Sequence, residues 1–174
     1  MFDGIFSFIS IFWDYFRFWW VIEQYNKGVK LRWGKFSKVL EPGLHWKRPF
    51  SDFVVETTVV PTTMRLPSQS LTTLDGKSIV LQAVIKYEIS DVRVFLMEVN
   101  DAVDAIGDMT QAIIKTILTE RTWEQCRSTE IDTMITKKAR VEAKKWGIDI
   151  IQVTISDLGI IRSIRLIGDT GILT

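Results

Sequence analysis

The residues from Phe2 to Ile22 restrict this chain more than any other stretch: almost every side chain there is large and apolar, and the exceptions fall in a pattern. At about 100° per residue of helix, Asp3, Ser7, Ser10, Asp14 and Arg17 occupy an arc of about 80°. The rest of the circumference is covered by Phe2, Ile5, Phe6, Phe8, Ile9, Ile11, Phe12, Trp13, Tyr15, Phe16, Phe18, Trp19 and Trp20. One side of a small soluble domain cannot bury an apolar surface that wide, so the segment is predicted to seek lipid or copies of itself.

Energies bound how it does so. As one helix, Asp3 to Ile22 measures about 30 Å, the thickness of a hydrocarbon core. Asp14 near mid-depth costs about 3 kcal/mol on an insertion scale, and each large apolar residue returns on the order of 0.3–0.6 kcal/mol. Arg17 comes three residues later on the same stripe and can pair with Asp14, which lowers that cost. Trp13, Trp19 and Trp20 gather toward the exit end, where indole rings prefer the headgroup layer. A helix lying flat in the interface is the alternative, although such helices carry a broader face rich in Lys and Arg. No Gly or Pro between Gly4 and Gly28 offers a hairpin turn. A cleavable signal fits poorly, because no Lys or Arg precedes Arg17 and no small-x-small site comes after the apolar run. The expectation is one continuous inserted helix, an anchor over residues 1–22.

Charge changes sign behind it. Lys27, Lys30, Arg32, Lys35 and Lys38 come within a dozen residues, opposed only by Glu23 and Glu41. Eight basic and four acidic side chains in the first fifty residues leave +4 there; with +1 overall, the remainder carries −3. A basic cluster beside an anchor suits anionic headgroups, at about 1 kcal/mol per cation, and orients the chain beyond Ile22 toward the cytoplasm. A solvated strand face collects the same residues and is the competing reading. Nucleic acid is not an expected partner, since the rest of the chain is neutral to acidic and shows no reading motif.

The 150 or so residues left suffice for one ordinary domain or two small subdomains. A strand pattern fills 23–92: Val29, Leu31 and Trp33 alternate with Lys30 and Arg32, and Ile79, Leu81, Ala83, Ile85, Tyr87 and Ile89 keep a period of two. Shorter strands are predicted at Phe53–Val60 and Thr62–Leu66, with Asp75-Gly76 as a tight turn. Leu44 and Trp46 are expected to alternate inward after the Pro42-Gly43 turn. Helical spacing takes over in 93–160, through Ala102, Ala105, Ile106, Met109, Ile113 and Ile117. A second helix is predicted from about Ser128, with Ser128 or Thr129 as cap, to Trp146, where Gly147 ends it. "IDIIQVTISDL" alternates again as a strand, and the class is α+β. Residues 161–174 form a short tail without heptads.

Four fragments now carry a resemblance: "EQYNKGVKLRWGKF", "EPGLHWKRPF", "SLTTLDGKSIVLQAVIKYEISD" and "KKWGIDIIQVTISDLGI". In this order and spacing, behind an apolar anchor, they resemble the SPFH or band-7 domain family of stomatin, prohibitin and flotillin. The resemblance implies a twisted, mostly antiparallel sheet followed by a helical subdomain, held at the lipid bilayer and assembled into large homo- or hetero-oligomeric rings or cages. It implies a scaffold that restrains or recruits membrane proteases, channels and lipids. In such a ring Asp14 of one anchor can meet Arg17 of the next, forming an intersubunit stripe; the alternative is a pair within one helix. Family members continue into a long charged coiled coil, whereas the residues here after "SDLGI" are Ile161–Thr174. A minimal ring, co-assembly with a longer family member, or a chain cut short are all compatible with that.

Catalysis is not expected. His45 is the sole histidine, so no two-histidine metal site can form, and no cofactor is expected. Cys126, the single cysteine, reads as a small apolar filler and suits a reducing compartment. Nothing in the sequence joins it to His45 as nucleophile and base. "GKFSK" and "DGKS" lack phosphate-loop spacing. Asp101/Asp104 and Glu130/Asp132 stand at helix starts, where capping explains them. Three functions are open to such a chain: an anchored oligomeric scaffold, a lipid-binding module acting as a monomer, and a regulatory subunit of one membrane complex.

Overall fold

A computed structural model describes residues 18–161, and the anchor residues Phe2–Phe16 with Asp14 and Arg17 lie outside them, as does most of the tail. The chain builds β1 (Trp19–Ile22), β2 (Asn26–Arg32), β3 (Lys35–Leu40), β4 (Gly43–Trp46), β5 (Asp52–Thr58), β6 (Thr62–Arg65), β7 (Gln69–Thr72) and β8 (Ser78–Ile89). Helices α1 (Val92–Met97), α2 (Ala102–Thr119), α3 (Trp123–Cys126) and α4 (Glu130–Ala143) come next, then a 3-10 turn at Lys144–Trp146 and β9 (Ile148–Ile160). The antiparallel sheets followed by helices are those of the expected α+β class. Among the described residues, no helix is long and apolar enough to cross a membrane.

The expected anchor helix is corrected at its exit end. Trp19, Trp20, Val21 and Ile22 are a strand, paired antiparallel with β4 in the register Trp19↔Trp46 and Ile22↔Gly43. Bulky aromatic and β-branched side chains suit a pleated surface, and here the two sides of the strand differ in burial, which a helix could not arrange. Ile22 is buried with Leu40 and Val54, and Trp20 packs against them. The β1–β4 ribbon thus lies on the three-stranded sheet β3-β2-β5. Gly28 permits that approach: a Cβ there would stand 3.0 Å from the Ile22 Cδ1 and 3.2 Å from the Val55 carbonyl oxygen.

The larger core belongs to the second sheet. The predicted alternation from Ile79 to Ile89 is β8, with β6 and β7 end to end along one edge and β9 along the other. Ile79, Leu81, Ala83 and Ile85 point into a core shared with Ile106, Ile114, Ile117 and Leu118 of α2, and Ile131, Ile135 and Ala139 of α4. Strands β6–β8 therefore pack with the helices, although they precede Val92. Gly147 ends the second helix as expected: its φ is +73°, and a Cβ would meet the Asp91 carbonyl oxygen at 2.4 Å. The capping expectations are corrected in part. Asp101 sits in the left-handed region with no side-chain capping bond, whereas of Ser128 and Thr129 it is Ser128 whose hydroxyl accepts from the Glu130 amide, at 3.3 Å.

Asp132 does something capping did not anticipate. Among the described residues the outer edge of β9 has no strand partner, and three residues one turn apart on α4 cover it instead. The Asp132 carboxylate accepts from the Ile155 amide at 3.3 Å. Thr136 Oγ1 accepts from the Val153 amide at 2.9 Å, and its one proton points to the Asp132 carbonyl at 2.7 Å with the Val153 carbonyl at 3.3 Å. Arg140 donates to the carbonyls of Ile150 and Ile151 at 2.7 and 2.8 Å. An open strand edge is a template for wrong pairing, so this side-chain ladder both satisfies and shields it.

One buried carboxylate ties the first sheet together. The Asp52 side chain has no exposed surface and the Lys30 side chain only 6%. Lys30 Nζ lies 2.6 Å from Asp52 Oδ2 and donates to the Trp46 carbonyl at 2.8 Å, while Arg32 Nε lies 3.1 Å from Oδ1. The Arg48 amide and the Ser51 hydroxyl donate to the same carboxylate. Burial works to raise the Asp52 pKa, but hydrogen bonds from Lys30, the Arg48 amide and Arg32 outweigh it and hold the carboxyl well below the usual carboxylate range. With the folded value depressed, the stabilisation is full above the ordinary carboxylate pKa and is lost as pH falls toward the folded one.

Two outcomes test this account. Asp52→Asn leaves the Lys30 ammonium buried without a counter-charge and should cost about 3–5 kcal/mol in urea unfolding at neutral pH, whereas Lys30→Met with Asp52→Leu should cost less than that single change. Thr136→Val strips the outward amide of Val153 of its partner and should cost about 1–3 kcal/mol. It should also speed hydrogen exchange at the Val153 amide.

Candidate membrane-facing surface

The register of the first sheet brings several loops to one end. Trp46 closes β4 beside Trp19 and stacks on Phe18, with ring centroids 5.8 Å apart. The β2–β3 turn places Trp33 at φ +52°, and its amide donates to the Ser51 carbonyl at 2.9 Å, which docks that turn on the β4–β5 loop. Phe50 in that loop stands at φ +72°. The Lys30–Asp52 cluster lies behind these segments and holds them, since it bonds Trp46, Arg48 and Ser51 at once.

The aromatics gathered there face outward. Trp33 is 77% exposed, Phe50 72%, Trp46 68% and Trp19 54%. Leu44 and Val21 continue the outer side of the β1–β4 ribbon, so the expectation that Leu44 and Trp46 turn inward is corrected. The parity comes from pairing: His45 opposite Trp20 takes the inner side and leaves its neighbours the outer one. At the far end of β2, Tyr25 is the exposed aromatic, its hydroxyl pKa raised chiefly by a hydrogen bond to Glu23.

The five cations of the basic cluster divide. Lys35 and Lys38 are exposed and make no ion pair among the described residues. Lys27 pairs with Glu41 at 2.8 Å. Arg32 is half-committed to Asp52, and Lys30 is enclosed by it, so its ammonium is out of reach of a headgroup. Two cations outside the predicted cluster stand at the aromatic end. Lys47 lies 4.9 Å over the Trp20 ring, its amide bonded to the Phe18 carbonyl, and Arg48 is exposed one residue on. Their adjacency to Trp46 in "LHWKRPF" is the signal that could have found them.

The nucleophile and base candidates lie apart, His45 in the β1–β4 ribbon and Cys126 in the helical core. His45 Nε2 is hydrogen-bonded to the Glu41 carbonyl oxygen in the first sheet. Cys126 is buried in the other core, its thiol pKa raised by burial and then by Asp75, with Sγ 3.8 Å from the Leu118 carbonyl oxygen. Among the described residues, no group of acidic, His and Cys side chains could hold a metal ion. What this end offers is an apolar, aromatic surface edged by cations, located where the chain arrives from its apolar N-terminal segment. Indole rings and cationic side chains partition to the headgroup layer of a bilayer.

Comparison with known proteins agrees with the fold. The chain is 25% identical over 148 residues to an uncharacterized protein of Methanocaldococcus jannaschii, covering 79% of this chain and 70% of that one. It is 22% identical over 139 residues to a putative band 7 family protein of Acanthamoeba polyphaga mimivirus, covering 79% of this chain and 46% of that one. To the modulator of FtsH protease HflK of Escherichia coli K12 it is 26% identical over 117 residues, 67% of this chain and 28% of that one. The chain thus spans less than half the length of the latter two. The model of the SPFH domain / Band 7 family matches residues 20–165, from within β1 to beyond β9, and the chain belongs to that family.

Proposed function

We propose that this protein is a membrane-anchored, non-enzymatic scaffold. The observation that carries the reading is the aromatic end of the first sheet: Trp19, Trp33, Trp46 and Phe50, built on separate strands and loops, are exposed together beside Lys35, Lys47 and Arg48. Resting on a bilayer, this end buries apolar surface worth about 1.5–3 kcal/mol per fully covered side chain. It also sets its cations against anionic headgroups. The apolar segment that precedes Phe18 then enters lipid directly and serves as the anchor. The family domain stands on the cytoplasmic side under the positive-inside tendency.

On that platform, copies of this chain assemble side by side, alone or with a longer SPFH partner, into a ring that organises the lipid and protein it encloses. Asp14 and Arg17 form the seam between neighbouring anchors. A membrane protease or channel is the client of such a ring, a reading supported by the similarity to the Escherichia coli FtsH modulator. A lipid-binding module acting as a monomer is favoured by the same aromatic surface but leaves self-assembly out.

Light scattering on the full chain in mild detergent should show a particle of many copies; a single copy would leave only the monomeric module. Orientation is tested separately in vesicles. A fluorophore on Trp33→Cys in a Cys126→Ser background should be quenched several-fold more by brominated lipid than the same label on Tyr25→Cys, about 26 Å away along β2. Equal quenching at both positions rules out this end as the membrane-facing one.

A further inference from the structure

The helical side of the molecule carries two exposed apolar spots of opposite charge. On α4, Met134, Lys137, Lys138 and Val141 recur at helical spacing and share one face. With Ile113 of α2 and Glu142 they line an open groove of about 640 Å³. Val141 is 61% exposed. Glu142 is engaged by Lys145 at 2.7 Å, and among the described residues Lys137 and Lys138 meet no carboxylate.

The opposite sign gathers at the corner between α1 and α2. Met97, itself exposed, is followed by Glu98, Asp101, Asp104 and Asp108, all exposed and none in an ion pair among the described residues. Asp91 shows what an acidic residue at a helix start ordinarily does, accepting from the amides of Arg93 and Val94. Asp101 does not: it stands at φ +53° and makes no capping bond, so its carboxylate stays available.

One chain therefore holds an apolar groove with two lysines and an apolar, acidic corner, and no ion pair joins them among the described residues. We infer that the α4 groove of one copy receives the Met97 corner of a second copy, with Lys137 and Lys138 against Asp101 and Asp104. The unbranched thioether of Met97 adapts to an irregular floor of Ile113, Met134 and Val141. The paired charges fix the partner's orientation and disfavour groove-to-groove or corner-to-corner encounters, where like charges would face each other. This contact rests on the self-assembling scaffold reading and names the surfaces by which copies meet.

The test uses the full chain in mild detergent, sized by light scattering. Lys137→Glu with Lys138→Glu should reduce the many-copy particle to one or two copies, and Asp101→Lys with Asp104→Lys should do the same. All four changes in one chain should restore the large particle. The wild-type particle should also loosen as salt rises from about 0.1 M to about 1 M, where screening shortens from about 10 Å to about 3 Å. An unchanged mass for either reversed pair, failure of the fourfold variant to reassemble, or indifference to salt overturns the contact while the scaffold stands. A wild-type chain that runs as a single copy overturns both.

Discussion

A carboxylate with no access to water, held by two cations and two further donors, organises the first half of this protein. Asp52 begins β5, Lys30 and Arg32 come from β2, and the Arg48 amide and Ser51 belong to the loop that leads out of β4. Lys30 then reaches past Asp52 to the Trp46 carbonyl, so the ribbon, the central strand and the loop share one electrostatic centre. Removing two such charges from water costs several kcal/mol per ion, and only near-complete hydrogen bonding offsets it. The small apolar cluster of Ile22, Leu40 and Val54 supplies little burial beside it. Specific geometry compensates for a small core: the segments that carry the exposed aromatics are held by this polar network.

The second half is stabilised differently. Its core is apolar and extensive, and its polar contacts lie at the margin, where α4 lays Asp132, Thr136 and Arg140 along the free edge of β9. Burial there raises the Asp132 pKa against the lowering effect of the Ile155 amide. Asp75 does similar work on the other side of the sheet: hydrogen bonds from Thr73, then Lys77 and the Trp123 amide, outweigh desolvation and hold its pKa at about 2. In this way the β7–β8 turn is tied to the start of α3. The two halves divide the labour: a polar-centred platform presents aromatics at one end, and an apolar-centred body presents the charged helical surfaces.

The period of two from Ile79 to Ile89, the helical spacing from Ala102 to Ile117 and the stop at Gly147 were legible because each depends on residues close in sequence. Two of the four fragments that pointed to the family, those over β8 and over Gly147 and β9, lie on such locally determined elements. Trp19–Ile22 was not legible as a strand, since an unbroken apolar run suits a helix equally well until a partner strand supplies its hydrogen bonds. Lys30 was not legible as a buried residue either. It alternates with apolar neighbours in a basic run, and nothing near it in the chain announces a carboxylate as distant in sequence as Asp52.

Sequence alone determined the α+β order of elements, the long central strand, the helix boundary near Gly147 and the family, because periodicity and turn chemistry are properties of short stretches of chain. Tertiary structure alone decided which side of β4 faces out, which cations of the basic run stay exposed, and that an apolar tetrapeptide becomes a strand. Those outcomes depend on pairing register and on desolvated charges meeting across the fold, and both are set by residues distant in sequence that come together only when the chain is folded.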